Sequence, residues 1–205
     1  MYTIFYLINY YFNTINNLIY VYLYHNIFYF LNKISRHYLK NNDSSMAIGL
    51  INNKLQIATC ILYITGKYNY NNVVNLANGY YLFDGLNELY NRRSNMKYVY
   101  IIHHIITSYL LTNTKHPKIY GITYFLAEFS NMPLYTTYFF LKYKQKYSRN
   151  FINNIKLYHF SHFSFIRLII GFYPTYYVLI LNDVNLFEKL MCLVMYAAGL
   201  KWSYN

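Results

Sequence analysis

Three acids, two adjacent histidines and an arginine interrupt otherwise apolar stretches of this sequence. Asp84 and Glu88 stand in "YYLFDGLNELY", His103 and His104 in "YIIHHIITSYLL", Glu128 in "AEFSNMP" and Arg167 in "FSFIRLIIGFYP". These residue types can do chemistry together. An imidazole can move a proton or attack a carbonyl, a carboxylate can orient the imidazole, and a guanidinium can hold an acyl or phosphate oxygen. Asp84 and Glu88 lie four apart, so one helical face carries both. Glu88 is four residues before Arg92 and is expected to pair with it. His103 and His104 are about 100° apart around a helix, so both can line the edge of a cavity but cannot simply stack. The plainer alternative has one histidine hydrogen-bonded inside a bundle and the other among lipid headgroups.

"AEFSNMP" adds Ser130 and Pro133. Buried Glu128 must be paired, protonated or hydrated. Ser130 is expected to bond to backbone, the common fate of a helical serine. Pro133 frees a carbonyl one turn back and is expected to break or kink its helix. His159 and His162 are three apart in "YHFSHF", but no dense histidine-rich cluster accompanies them, and no metal site or cofactor is expected. Cys60 and Cys192 form no disulfide or metal framework.

The elements that must position these groups follow from composition. Of 205 residues 56% are hydrophobic and only 12% charged, about half the charged share of a soluble domain, which points to a membrane protein. Aromatic residues make up 22%, and Tyr suits a membrane interface, although tyrosine number alone carries no function. The net charge of +12 could signal nucleic acid. Here the basic residues avoid the apolar runs, so topology and lipid headgroups explain them and no nucleic-acid partner is expected.

Seven hydrophobic segments can be drawn. The first lies within 4–31, interrupted by Asn13, Asn16 and Asn17. The second covers 46–66, is weakened by "INNK" and would begin more comfortably at Leu55. The others run from Val73 to Tyr90, Tyr98 to Asn113, Ile119 to Leu141, His159 to Leu181 and Leu186 to Leu200. No basic stretch precedes the first run, so it reads as a retained helix rather than a signal peptide. Alternate connections hold twelve of the eighteen basic residues, including Arg92, Arg93, Lys97 and Lys201, and the opposite ones four. The expected fold is therefore an all-α, polytopic transmembrane helical bundle of about seven spans. Its N-terminus would be outside and its C-terminus cytosolic. Residues 1–44 would form a first helix and cytosolic loop, and 45–205 a second unit. "KYKQKYSRN" reads as a cytosolic loop with snorkelling lysines, or as a headgroup-binding patch. Counting from the cytosolic side, Asp84, His104 and Arg167 each lie at a depth of about 10 Å, so three helices place polar groups in one layer.

The ordered set "NGYYLFDGLNELY", "HHIITSYLL", "LAEFSNMPLYTTYFFLK" and "FSFIRLIIGFYP" resembles the TLC domain shared by the TRAM, Lag1 and CLN8 proteins, over roughly residues 45–203. That resemblance implies a multi-helix membrane fold linked to lipid synthesis, transport, sensing or membrane composition, with the endoplasmic reticulum favoured. Its best-known enzymes, the ceramide synthases, join an acyl chain from acyl-CoA to a sphingoid base. His103 and His104 look like their histidine pair. In those enzymes a helix with two further aspartates follows; this chain has Glu128, Ser130 and Pro133 there and is more similar to the non-synthase branch.

Three functions remain open on the sequence. The first is lipid homeostasis, with membrane lipids as partners and Asp84, Glu88, His103, His104, Glu128, Ser130 and Arg167 around an internal cavity. The second is an acyltransferase-like enzyme. His104 would be its base or nucleophile, His103 the partner, Asp84 the orienter and Arg167 the stabiliser of oxygen charge, with acyl-CoA as a partner. The third is a structural or chaperone role toward another membrane protein, for which no small-xxx-small stripe is evident.

Overall fold

Helices of 9 to 37 residues carry nearly the whole chain in a computed structural model, which describes residues 2–91 and 97–204. In order they are α1 (Tyr2–Tyr38), α2 (Asn41–Ile64), α3 (Tyr70–Asn91), α4 (Lys97–Asn113), α5 (Pro117–Lys142), α6 (Arg149–Ser164), α7 (Phe172–Ile180) and α8 (Leu186–Tyr204). A single 3₁₀ turn, Lys144–Lys146, precedes α6. A π-helical stretch, Phe165–Ile170, fuses α6 and α7 into one bent rod. No strand occurs among the described residues.

Several expected boundaries are corrected. The asparagines at 13, 16 and 17 do not interrupt α1, and Asn17 accepts a hydrogen bond from Asn75 on α3 at 3.0 Å. The second helix begins at Asn41, well before Leu55. It continues through "INNK" because Asn52 and Asn53 are buried against the bundle instead of facing outward. The rod carrying Arg167 starts at Arg149, ten residues before His159.

Pro133 does not break α5, which runs unbroken from Pro117 to Lys142. Proline removes the N–H that would satisfy the carbonyl of Phe129. His162 on α6 donates from Nε2 to that carbonyl at 3.1 Å, so the freed acceptor is satisfied from the next rod. In lipid an unmet backbone acceptor costs several kcal/mol, roughly, which makes such a replacement necessary. The π-helical stretch closes with the N–H of Gly171 on the carbonyl of Ile166, five residues back, at 2.8 Å. A Cβ at Gly171 would stand 2.7 Å from the Arg167 carbonyl, so glycine permits this tight closure.

α5 is the hub, touching α2, α3, α4 and both halves of the bent rod, while α1 packs along α3 and α8 against α4 and α7. Phe28 of α1 meets Tyr80 of α3 edge-on at 5.3 Å, and Val73, Ala77, Leu111 and Tyr124 fill the centre. Gly79 lets α1 approach α3 closely; a Cβ there would lie 2.5 Å from Cβ of Tyr24. Large apolar side chains point outward on every rod, among them Leu18, Leu55, Leu82, Ile105, Leu134, Ile169 and Val194. Asn52, Asn53, Gln56, Glu88, Glu128 and Ser130 are buried inside. Apolar without and polar within is the distribution a lipid solvent favours. Two rods, Asp43–Ile64 and Arg149–Ile180, are long and apolar enough to cross a membrane by length and composition.

Candidate functional site

α3 and α4 run antiparallel, which brings Asp84 and His104 to one depth. Asp84 Oδ2 and His104 Nε2 are 2.8 Å apart. One turn before the acid, Tyr81 stacks on the imidazole at 4.6 Å and 23°, while Tyr80 meets it edge-on at 6.4 Å. Helix α3 thus holds His104 by its edge through Asp84 and by its face through Tyr81. With Nε2 on the carboxylate, the other ring nitrogen, Nδ1, is buried and has no hydrogen-bond partner among the described residues. His103 lies 5.7 Å from His104, ring to ring, at 52°, so the adjacent rings are tilted instead of stacked.

Glu128 sits on α5, one turn from Tyr124, whose ring lies 6.5 Å from that of Tyr81. Asn53 of α2 donates through Nδ2 to both the Glu128 carboxylate, at 2.9 Å, and its own backbone carbonyl, at 2.6 Å. Asn53, Gln56 and Cys60 recur at three- and four-residue spacing, and all are fully buried. That spacing was the available sign of a polar inner face on α2, hidden because amides lower hydropathy whichever way they point.

Ser130 bonds to backbone as expected, donating to the Ala127 carbonyl at 2.7 Å, and it also accepts from Arg167. Arg167 donates from Nε to Ser130 Oγ at 2.7 Å. From one Nη it donates to the Ala127 carbonyl and to Asn131 Oδ1, each at 3.2 Å. The guanidinium carbon stands 5.2 Å from the centre of the Phe163 ring. Its acceptors are neutral, and among the described residues no carboxylate lies within 4 Å of it.

Glu88 is buried one turn beyond Asp84, toward the end of α3 where Arg36 donates to Asn87 at 2.7 Å. Its expected partner Arg92 lies outside the described residues, as does Arg93. At that end Asp43 takes Tyr138 Oη at 2.9 Å and the ammonium of Lys142, tying α2 to α5.

Between α4, α5, the bent rod and α8 lies a cavity of about 120 Å³. Its walls include Thr107, Tyr124, Ala127, Arg167, Val178 and Cys192. Of the expected site residues, Arg167 lines it. His103, His104, Asp84, Glu128 and Ser130 do not, although Thr107, one turn from His103, and Ala127, next to Glu128, do. Two of the bundle's polar features bear on chemistry: the acid–imidazole pair between α3 and α4, and the mostly apolar cavity with a guanidinium in its wall.

An all-α bundle with an apolar exterior and two helices long and apolar enough to cross a membrane is consistent with an integral membrane protein. The TLC domain family model matches residues 52–201, and the chain belongs to that family, which is generally linked to lipid metabolism and membrane composition. No curated protein and no solved structure matches the chain.

Proposed function

We propose that the chain is a multi-pass protein of lipid homeostasis that receives part of a lipid chain in the cavity beside Arg167. Seven antiparallel rods cross the bilayer in this reading, with the N-terminus outside, the C-terminus cytosolic and the endoplasmic reticulum as the favoured membrane. The observation that carries it is the cavity itself: about 120 Å³ of space with mostly apolar walls, inside a bundle whose outer face is also apolar. A cavity of similar size takes a benzene-sized group, which is the bulk of a short acyl segment and not of a whole phospholipid. Charged side chains inside spans cost at least about 2.5 kcal/mol each, so a guanidinium inside the bundle is retained where it has a task.

A second reading, acyl transfer, is favoured by the Asp84–His104 contact at 2.8 Å. A carboxylate on Nε2 fixes the orientation of the ring, and Nδ1 is then the nitrogen left to act as base or nucleophile. Acyl-CoA would supply the acyl group. His104 would attack the thioester carbonyl, the thiolate would leave, and a second nucleophile would then take the acyl group from the imidazole.

Lipid profiling of cells separates the two readings, with wild-type chain compared at equal protein level with Val178→Trp, which fills the cavity, and with His103→Ala, His104→Ala. Loss of the lipid change with Val178→Trp alone supports binding or transport. Loss with the histidine variant supports chemistry at the pair. Profiles identical for all three proteins would overturn both readings.

A further inference from the structure

Arg167 is a half-buried cation inside the bundle, and among the described residues its three hydrogen bonds all go to neutral acceptors. They use Nε and one terminal nitrogen. The other, Nη1, has no acceptor among the described residues and points toward the space left by Gly199, where an added Cβ would lie 3.8 Å from it. Arg167 and Gly199 both line the cavity, so Nη1 looks into apolar space with N–H groups to give. Arginine inside a membrane bundle is ordinarily matched to an anion or set on a ligand path. The fork is braced by Ser130 and Asn131 on α5, so it is held in place before any ligand arrives.

We infer that this cavity binds a single-chain carboxylate, a free fatty acid, with its carboxylate on Arg167 and its first carbons between Val178 and Cys192. The inference deepens the lipid-chain reading above and rests on it. Size selects the head: a carboxylate is small enough to share about 120 Å³ with a few methylenes, whereas a phosphodiester headgroup is not. Charge selects the ionised acid over its esters, because an ester offers only a neutral carbonyl to the guanidinium. The rest of the chain leaves through the open side of the cavity into lipid.

The test uses the full-length chain in nanodiscs of neutral phospholipid, with oleic acid, methyl oleate and oleoyl lysophosphatidic acid as probes in a competition assay against a fluorescent fatty acid. Oleic acid is expected to bind the wild type about 10- to 100-fold more tightly than methyl oleate, the range of a charge-assisted hydrogen bond. Arg167→Gln is expected to lower acid binding to the level of the ester, and Arg167→Lys to recover part of the preference. Val178→Trp leaves Arg167 in place and is expected to abolish binding of both, which keeps the test valid if Arg167→Gln fails to fold. Equal binding of acid and ester to the wild type would overturn the carboxylate inference and leave the lipid-chain reading standing. Binding of neither would overturn the lipid-chain reading itself. A preference for the lysophosphatidic acid would overturn the carboxylate in favour of a phosphate monoester.

Discussion

His162 stands in for the N–H that Pro133 lacks: its Nε2 lies 3.1 Å from the carbonyl of Phe129, four residues before the proline. The acceptor is a carbonyl, so the imidazole must carry its proton on Nε2. A histidine that spacing alone would group with His159 is thereby committed to closing a helix.

His162→Ala should destabilise the bundle by about 1–3 kcal/mol, the cost of leaving a buried acceptor unmet. In a Pro133→Ala background the amide N–H returns, and the same substitution should cost much less. A double-mutant cycle on unfolding in detergent measures the difference, and additive effects would remove the link between the two residues.

Asp84 and His104 should couple by about 1 kcal/mol in a cycle of Asp84→Ala and His104→Ala, in line with the modest worth of polar contacts between membrane helices. Tyr81→Leu removes the stacked ring and leaves the acid. It should disturb the imidazole resonance of His104 while that coupling persists. Zero coupling would show that the 2.8 Å contact is absent from the folded protein in lipid.

Replacing Gly79 by leucine should separate α1 from α3, because even a Cβ would collide with Tyr24 and the Val21 carbonyl. The expected loss is about 1–3 kcal/mol, as for other overpacked contacts, and Gly79→Ala should lie at the low end. Gly85, with nothing within 4 Å of an added Cβ, is the control, and its alanine variant should fold as well as the wild type. Thermal melting in one detergent ranks all three.

The two cysteines should differ in reactivity. Cys192 lines the cavity, while Cys60 is wholly buried among α2, α3 and α5. A small membrane-permeant thiol reagent should label Cys192 at least several-fold faster, read by intact mass on Cys60→Ser and Cys192→Ser variants. Equal rates would mean that the cavity is not open to small molecules.

What the sequence told and concealed divides along a physical line. Helix existence, the shared depth of Asp84 and His104, and the carbonyl freed by Pro133 all follow from rise per residue and backbone chemistry, which are local. Lateral convergence does not. Asp84 found His104, but Arg167 turned to Ser130 and Asn131, because which face of each rod looks inward is decided by packing. Hydropathy misplaced the start of α2 for the same reason: Asn52, Asn53 and Gln56 count as polar wherever they face, and here they face Glu128 and its surroundings. The π-helical stretch left no mark in "FSFIRLIIGFYP" beyond the glycine that its closing turn requires.

That stretch has a geometric consequence for the whole bundle. An extra residue within a turn advances the helix phase by about 100°. The stripe that α6 offers to α5 is therefore not continued along α7, whose neighbours include α8 as well. Both halves of the rod touch α5 and α8, but α6 leans mainly on α5 whereas α7 divides its contacts between the two, with Arg167 at the change of phase. The cavity follows that change along the rod, from Ile166 and Arg167 in the π-helical stretch to Val178 in α7.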